Sequence, residues 1–146
     1  MLVRNLSDSI KSINLIYINM GYTDNIEDRT LENSNFRKVL FTGKYMQLVV
    51  MSLKPGEDIG EEVHDTVDQF FRIEEGEAKV VMNGEETILT DDMVAIVPAG
   101  TLHNVINTSD TNDLKLYTIY APANHPEGTI HATKADAMAA EEEHHH

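Results

Sequence analysis

Residues 78–89 read AKVVMNGEETIL and carry the strongest structural signal in the chain. Two runs rich in β-branched and apolar residues flank the pair Asn83-Gly84. A type I′ turn requires positive φ at both of its central residues, and Asn-Gly accepts that conformation most readily. The stretch therefore predicts a β-hairpin with Asn83-Gly84 at its tip.

Short strand-like runs continue outward from this hairpin in both directions. They lie at residues 45–53 and 67–73 before it and at residues 93–97, 102–106 and 114–120 after it. Turn residues such as Pro55-Gly56 and Asp91-Asp92 separate the runs. Many short strands without a βαβ alternation favour an all-β sandwich or barrel. We therefore expect one antiparallel β-barrel over residues 36–122.

Segments of a different character flank the predicted barrel. Residues 1–35 form an N-terminal extension, in which we expect an appended strand or short helix over residues 1–20 and a polar loop with a helical turn after it. Residues 123–146 are loop-like, with a short helix predicted over residues 132–143 from their Ala, Met, Lys and Glu content. The tail EEEHHH is either a natural end or the remnant of a purification tag, and it carries no functional argument.

Composition narrows the classes of partner and compartment. The 146 residues predict one domain, and 25 Asp and Glu against 11 Lys and Arg give a net charge of −14. Such a charge disfavours nucleic acid and anionic membrane surfaces. The chain has no cysteine, no apolar run of the ~18 residues that a membrane helix needs, and no convincing export signal. We expect a cytoplasmic protein that acts on a small molecule.

Two of the four histidines outside the tail, His64 and His103, lie in or beside predicted strands. Glu62 is two residues before His64, so the two side chains share a face if that segment is extended, and Gln69 opens the strand that follows. Taken singly, each is more often a hydrogen-bonded or solvated residue than a ligand. A barrel that brings the four together offers nitrogen and oxygen donors suited to Zn, Mn, Fe, Ni or Co.

The spacing of these residues resembles the two sequence motifs of the cupin superfamily. The first motif, G-x5-H-x-H-x4-E-x6-G, is matched in spacing by Gly56, Glu62, His64, Gln69 and Gly76. The second, G-x5-P-x-G-x2-H-x3-N, is matched by Asp92, Pro98, Gly100, His103 and Asn107. The resemblance implies a double-stranded β-helix, or jelly-roll, over residues 36–122. Within the superfamily the chain is most similar to small single-domain cupins of the mannose-6-phosphate isomerase-like group.

Two positions depart from the family pattern. Glu62 stands where the first ligand histidine is usual, and Gln69 stands where the ligand glutamate is usual. The resemblance implies a divalent metal held by Glu62, His64, Gln69 and His103. Two histidines and one carboxylate also form the facial triad of non-haem iron enzymes. The alternative is a cupin barrel that has lost its metal.

The resemblance also implies the kind of chemistry. A metal in such a barrel suits isomerase or lyase chemistry on a small carbohydrate-like or hydroxy-acid substrate. Tyr120 and His125 are candidate proton-transfer residues, and Met51 and Phe71 are expected to line the substrate pocket, whereas His131 reads as a surface loop residue. The alternatives are an Fe(II)-type dioxygenase and a non-catalytic ligand-binding module.

The N-terminal extension also predicts an assembly. Residues 12–18 are apolar enough to add to the sheet edge of a second copy, so we expect a homodimer. Light scattering on the full chain should give twice its mass of 16.4 kDa. A chain lacking residues 1–19 should dimerise more weakly. A monomer at high protein concentration would contradict the prediction.

Overall fold

The computed structural model describes residues 20–144, and within that range it confirms the hairpin. Strands β4 (Ala78–Met82) and β5 (Glu85–Leu89) pair antiparallel, with φ of 48° at Asn83 and 84° at Gly84. Both central residues of the turn are therefore left-handed, as a type I′ turn requires. The predictions for residues 1–19, including their part in a homodimer, lie outside the described residues and stay predictions.

Helix and strand bounds follow the predicted segments closely. In chain order, the elements of residues 20–144 are α1 (Ile26–Glu32), β1 (Arg37–Thr42), β2 (Gln47–Leu53), β3 (Asp68–Glu75), β4, β5, β6 (Val94–Val97), β7 (His103–Asn107), β8 (Leu114–Ala121), β9 (Ile130–His131) and α2 (Lys134–His144). The short strand β9 falls in a segment that the sequence predicted as loop, because only its pairing with β1 makes it a strand.

The strands form two antiparallel sheets that face each other. The larger sheet has the order β6-β3-β8-β2-β1-β9, and the smaller has the order β5-β4-β7. Isolated bridges from Asp58 to Ile106 and from Glu62 to His103 add the loop before β3 to the open edge of the smaller sheet. The all-β architecture expected from the sequence is confirmed.

Inward-facing side chains change from apolar to polar along the interior. Leu53, Met51 and Val49 of β2 are completely buried, and the next inward position is Gln47. The register places Gln47 opposite Tyr120 of β8, and Tyr120 opposite Gln69 of β3. A row of buried polar groups thus crosses the larger sheet at one end, while the hydrophobic core fills the rest.

Asn107, the last residue of the second motif, fixes the other end of the smaller sheet. Its side chain is buried, and Nδ2 lies 3.1 Å, 3.0 Å and 2.9 Å from the carbonyl oxygens of Leu53, Lys54 and Asn112. Its backbone N–H donates to Glu57 O at 2.9 Å. Buried amides are favoured when their donors are satisfied, so Asn107 ties β7 to the chain that leaves β2.

The helices lie outside the sheets. Asn25 caps α1 by accepting a hydrogen bond from Asp28 N at 3.0 Å, and α1 packs against β2, β3 and β8. None of the helices in residues 20–144 is long and apolar enough to cross a bilayer.

Gly76, the last glycine of the first motif, generates a stability prediction. Its φ is +113°, and an added Cβ would lie 3.1 Å from Asp113 O and 3.3 Å from Leu114 Cα. Gly60 has a similar φ of +103° with nothing within 4 Å of an added Cβ. Gly60→Ala should cost about 1–2 kcal/mol from backbone strain alone. Gly76→Ala should cost at least about 1 kcal/mol more, because backbone atoms must also shift.

Urea unfolding of the two variants and the parent measures this difference. Equal losses of unfolding free energy in Gly60→Ala and Gly76→Ala would show that the close approach of β8 to Gly76 has no energetic consequence.

Candidate metal centre

A backbone pair holds the first two candidate ligands side by side. Glu62 N donates to His103 O, and His103 N donates to Glu62 O, both at 3.0 Å. In an antiparallel ladder, residues that exchange both hydrogen bonds project their side chains from the same face. Glu62, 41 positions earlier in the chain, is therefore aimed at the same point as His103 because their backbones are paired.

His103 is oriented by a second contact. Its ring is 4% exposed, and Nδ1 lies 2.9 Å from the carbonyl oxygen of Thr101. A carbonyl can only accept, so Nδ1 carries the proton and Nε2 keeps a free lone pair. A backbone carbonyl on one ring nitrogen is the usual way in which a metal-binding histidine is fixed.

His64 completes a compact group of three. Its carbonyl oxygen accepts a hydrogen bond from Gly100 N at 2.8 Å. This bond ties the loop that carries His64 to the glycine of the second motif. Its Nε2 lies 3.0 Å from Glu62 Oε2, is buried, and makes no well-formed hydrogen bond. One ligand atom each from Glu62, His64 and His103 lies within 4.8 Å of the other two. This is the spacing of ligands around a single ion.

Gln69 offers a fourth donor from the facing sheet. Its side chain is 2% exposed, and Nε2 donates to Thr118 Oγ1 at 3.0 Å. Its Oε1 is buried without any hydrogen-bond partner. A buried acceptor left unpaired costs about 1–3 kcal/mol, which a cation would remove. Its neighbour Asp68 faces the other way and accepts from Ala99 N at 2.8 Å, as strand alternation predicts.

These four residues fit a divalent transition metal. Together they supply two imidazole nitrogens, one carboxylate oxygen and one spare amide oxygen, a donor set that Zn, Mn, Fe, Ni and Co accept. The grouping of Glu62, His64 and His103 carries this conclusion. Coordination by Gln69 stays a prediction, supported by its unpaired oxygen.

Tyr120 and His125 form a pair beside these ligands. Tyr120 is 1% exposed, its hydroxyl lies 3.2 Å from His125 Nε2, and its ring centroid is 6.0 Å from that of His64. Burial raises the pKa of Tyr120 to about 12, with a smaller contribution from the charge of Glu62. Burial, followed by the charge of Arg37, lowers the pKa of His125 to about 3. At neutral pH an uncharged phenol thus faces an uncharged imidazole.

An open pocket of about 590 Å³ leads to this group. Its wall includes Glu62, His64 and His125, together with Val63, Asn124, Pro126 and Glu141. Two candidate ligands and one candidate proton-transfer residue are therefore reachable from outside.

Met51 and Phe71, expected to line a substrate pocket, are core residues. Met51 is 0% exposed and Phe71 is 1% exposed, and both belong to the main hydrophobic cluster. The Phe71 ring centroid lies 6.3 Å from that of His103, so Phe71 packs near a candidate ligand. Direct contact of either residue with a substrate stays a prediction.

Sequence reasoning missed Arg37, which is 2% exposed, and the pocket residues Asn124 and Glu141. The sequence contains one indication of Arg37: it is a charged residue at a position of β1 that the alternation through Val39 directs inward. The sequence offered nothing to connect Asn124 or Glu141 with the barrel mouth, because both follow the last long strand.

Comparison with known proteins agrees with the fold and the motifs. The family model described as cupin domain matches residues 49–120. The chain is 50% identical to the uncharacterized protein YrkC of Bacillus subtilis (strain 168), with 94% of this chain and 78% of that protein covered. It is 47% identical to an uncharacterized protein of Acanthamoeba polyphaga mimivirus, with 77% and 72% covered.

A solved structure extends the likeness to three dimensions. The crystal structure of BH2720 from Bacillus halodurans is 47% identical, covers 83% of this chain and 96% of its own, and superposes with a TM-score of 0.81. The two sheets, the paired motifs and these relatives together place the chain in the cupin domain family.

Proposed function

We propose that this protein is a metal-dependent cupin that acts on a small hydroxy-acid or carbohydrate-like acid by isomerase or lyase chemistry. The observation that carries the proposal is the set of Glu62, His64 and His103 within 4.8 Å, with His103 Nδ1 already committed to Thr101 O. A histidine held in this tautomer has an unprotonated Nε2 that is free to bind a metal ion.

The geometry supports the following division of roles. Glu62, His64 and His103 would hold the ion, and Gln69 would be its fourth protein donor. A bound ion would supply Lewis-acid polarisation of a carbonyl or hydroxyl oxygen of the substrate. Tyr120 keeps its proton at neutral pH because its pKa is about 12, so its hydroxyl serves as a hydrogen-bond or proton donor to a developing oxyanion. Neutral His125 orients that hydroxyl by donating its Nε2–H to the phenolic oxygen, which leaves the phenolic proton for the substrate.

A non-catalytic ligand-binding cupin is the second candidate, and the same pair of residues favours it. General acid–base catalysis is most efficient when the pKa of the catalytic group lies near the working pH. The values of about 12 for Tyr120 and about 3 for His125 lie far from neutrality. Turnover of hydroxy acids by the metal-loaded protein, followed by NMR, supports the enzyme, whereas saturable binding without product supports the module.

The identity of the metal distinguishes between two classes of enzyme. A 2-His-1-carboxylate set is also typical of non-haem Fe(II) oxygenases. Elemental analysis of protein purified without a nickel column, with the three terminal histidines replaced by alanine, identifies the native ion. Native iron together with oxygen consumption in the presence of substrate would favour a dioxygenase.

Metal affinity should follow the donor strength of each ligand. In the same tail-free background, His64→Ala and His103→Ala should each weaken Zn²⁺ binding by more than about 100-fold, because loss of outer-shell partners alone costs 10–100-fold. Glu62→Gln should weaken it strongly by removing the formal charge. Gln69→Ala should cost least, and Gln69→Glu should tighten binding unless the added carboxylate takes up a proton. Titration calorimetry measures all five.

His131→Ala is the matched control for the histidine variants. It removes an imidazole outside the group of three and should leave the metal affinity unchanged. If His64→Ala binds Zn²⁺ as tightly as the parent, the site is wrongly assigned. If Gln69→Ala is the weakest of the five, the ranking by donor charge is wrong while the site survives.

The buried imidazole of His125 should make stability depend on pH. An unfolded histidine takes up a proton below its usual pKa of 6.5, whereas folded His125 does so only near 3. The unfolded state therefore binds more protons between these values, and stability falls as the pH drops from 6.5 toward 3. His125 should contribute a slope of up to about 1.4 kcal/mol per pH unit.

Urea unfolding of metal-free parent and His125→Gln over this pH range isolates the contribution. The parent should lose its advantage over the variant as the pH falls. Parallel stability profiles for the two proteins would show that His125 is not held neutral by the fold.

A further inference from the structure

Arg37 is a buried charge that has no counter-charge among residues 20–144. It is the largest fully buried side chain of the described residues, at 2% exposure, and its Nε has no hydrogen-bond partner. No carboxylate of the described residues lies within 4.0 Å of its guanidinium nitrogens. Its Nη1 lies 3.3 Å from His131 Nδ1, and the guanidinium is also within hydrogen-bonding reach of the Tyr120 hydroxyl.

Such an arrangement is costly for the protein alone. Arginine stays protonated in proteins, and burying an uncompensated ion costs several kcal/mol. The face of the Phe36 ring, with its centroid 5.3 Å from Arg37 Cζ, offsets part of this by about 0.5–2 kcal/mol. A neutral imidazole, a neutral phenol and an aromatic face leave the charge unbalanced among the residues that the structure describes. A bound anion would balance it.

The guanidinium lies next to the candidate centre. Arg37 and Val39 alternate with Lys38 along β1, and Val39 belongs to the core, so Arg37 points inward and Lys38 outward. The Arg37 guanidinium is within hydrogen-bonding reach of the Tyr120 hydroxyl, which lies 3.2 Å from His125 Nε2. His125 in turn lines the open pocket together with Glu62 and His64. The pocket, the Tyr120–His125 pair and Arg37 are thus contiguous.

The chemistry of this cluster selects a monoanion. One guanidinium supplies a planar fork and one positive charge, and these match a carboxylate in shape and charge. Tyr120 adds a neutral hydroxyl donor, and His125 and His131 are uncharged when their pKa values are lowered by burial and by Arg37. A phosphate dianion would meet only one cation here, in a protein of net charge −14.

We propose that Arg37 is a carboxylate-binding residue that anchors the acid group of a small organic acid inside the barrel. The anchored group would leave the hydroxyl or carbonyl end of the same molecule facing Glu62, His64 and His103. The assignment of that acid as a substrate rests on the proposed function. The binding of a carboxylate by Arg37 does not require a metal and is tested without one.

The test uses the metal-free full chain and two probes of nearly the same shape, one anionic and one neutral. Glycolate carries a carboxylate beside a hydroxyl, and glycolamide is its neutral isostere. Calorimetric or NMR titration should show that the parent binds glycolate and binds glycolamide at least about tenfold more weakly. Arg37→Met should weaken glycolate binding at least about tenfold, and Arg37→Lys, which keeps the charge but not the fork, should fall between.

Lys38→Met is the matched control, since it removes the same charge from the adjacent, outward position and should leave glycolate affinity within about twofold of the parent. Without glycolate, Arg37→Met should unfold at the same temperature as the parent or a higher one, because it removes an uncompensated buried charge. A structural arginine would give the opposite, a lower unfolding temperature in Arg37→Met with no selective loss of glycolate.

The other possible results of these titrations also test the proposal. Equal binding of glycolate and glycolamide, no glycolate binding by the parent, or unchanged affinity in Arg37→Met would overturn the carboxylate site. Tighter, Arg37-dependent binding of inorganic phosphate would overturn the choice of a monoanion. Zn²⁺ titration of Arg37→Met separates the two proposals. The variant should bind Zn²⁺ as the parent does, because Arg37 is not one of the proposed metal ligands. Absence of Zn²⁺ binding in both proteins would contradict the proposed function and leave the carboxylate site to be judged by the glycolate titrations.

Discussion

The reciprocal backbone hydrogen bonds between Glu62 and His103 are the constraint on which the site depends. They are 3.0 Å each, and they join a loop residue to the first residue of β7. Without them, Glu62 and His64 would belong to an irregular acidic loop. With them, the loop becomes an additional strand segment, and the alternation of extended chain returns His64 to the same face as Glu62.

A second consequence is the polarity gradient of the interior. The apolar side chains between the two sheets supply the hydrophobic stabilisation, and the row that contains Gln47, Tyr120 and Gln69 interrupts it at one end. Folding alone would favour apolar residues at these positions, because buried polar groups are tolerated only when they are paired. Two of the buried polar atoms without a hydrogen-bond partner, Gln69 Oε1 and Arg37 Nε, belong to side chains that contact Tyr120 in this row. Binding of a cation and a carboxylate there would offset the free-energy cost of burying these two atoms without partners.

Local sequence predicted the features that depend on local chemistry. The Asn83-Gly84 turn, the strand that Gln69 opens and the spacing of His64 and His103 all follow from residues near one another in the chain. Arg37 could not be predicted in the same way, because its role depends on a contact with His131, 94 positions away, and on a β1–β2 pairing with a register shift between Val39 and Phe41. Met51 and Phe71 show the reverse: strand parity predicts that they point inward, but depth along the barrel decides whether an inward residue meets the pocket or the core.

The central claim is that Glu62, His64 and His103 bind one metal ion, and X-ray absorption spectroscopy of the zinc-loaded protein tests it most directly. The measurement uses the chain in which the three terminal histidines are replaced by alanine, so that only the barrel supplies imidazole. We predict two imidazole nitrogens and at least one oxygen donor at about 2.0–2.2 Å from the ion. A first shell of oxygen alone, or zinc lost on dialysis, would contradict it.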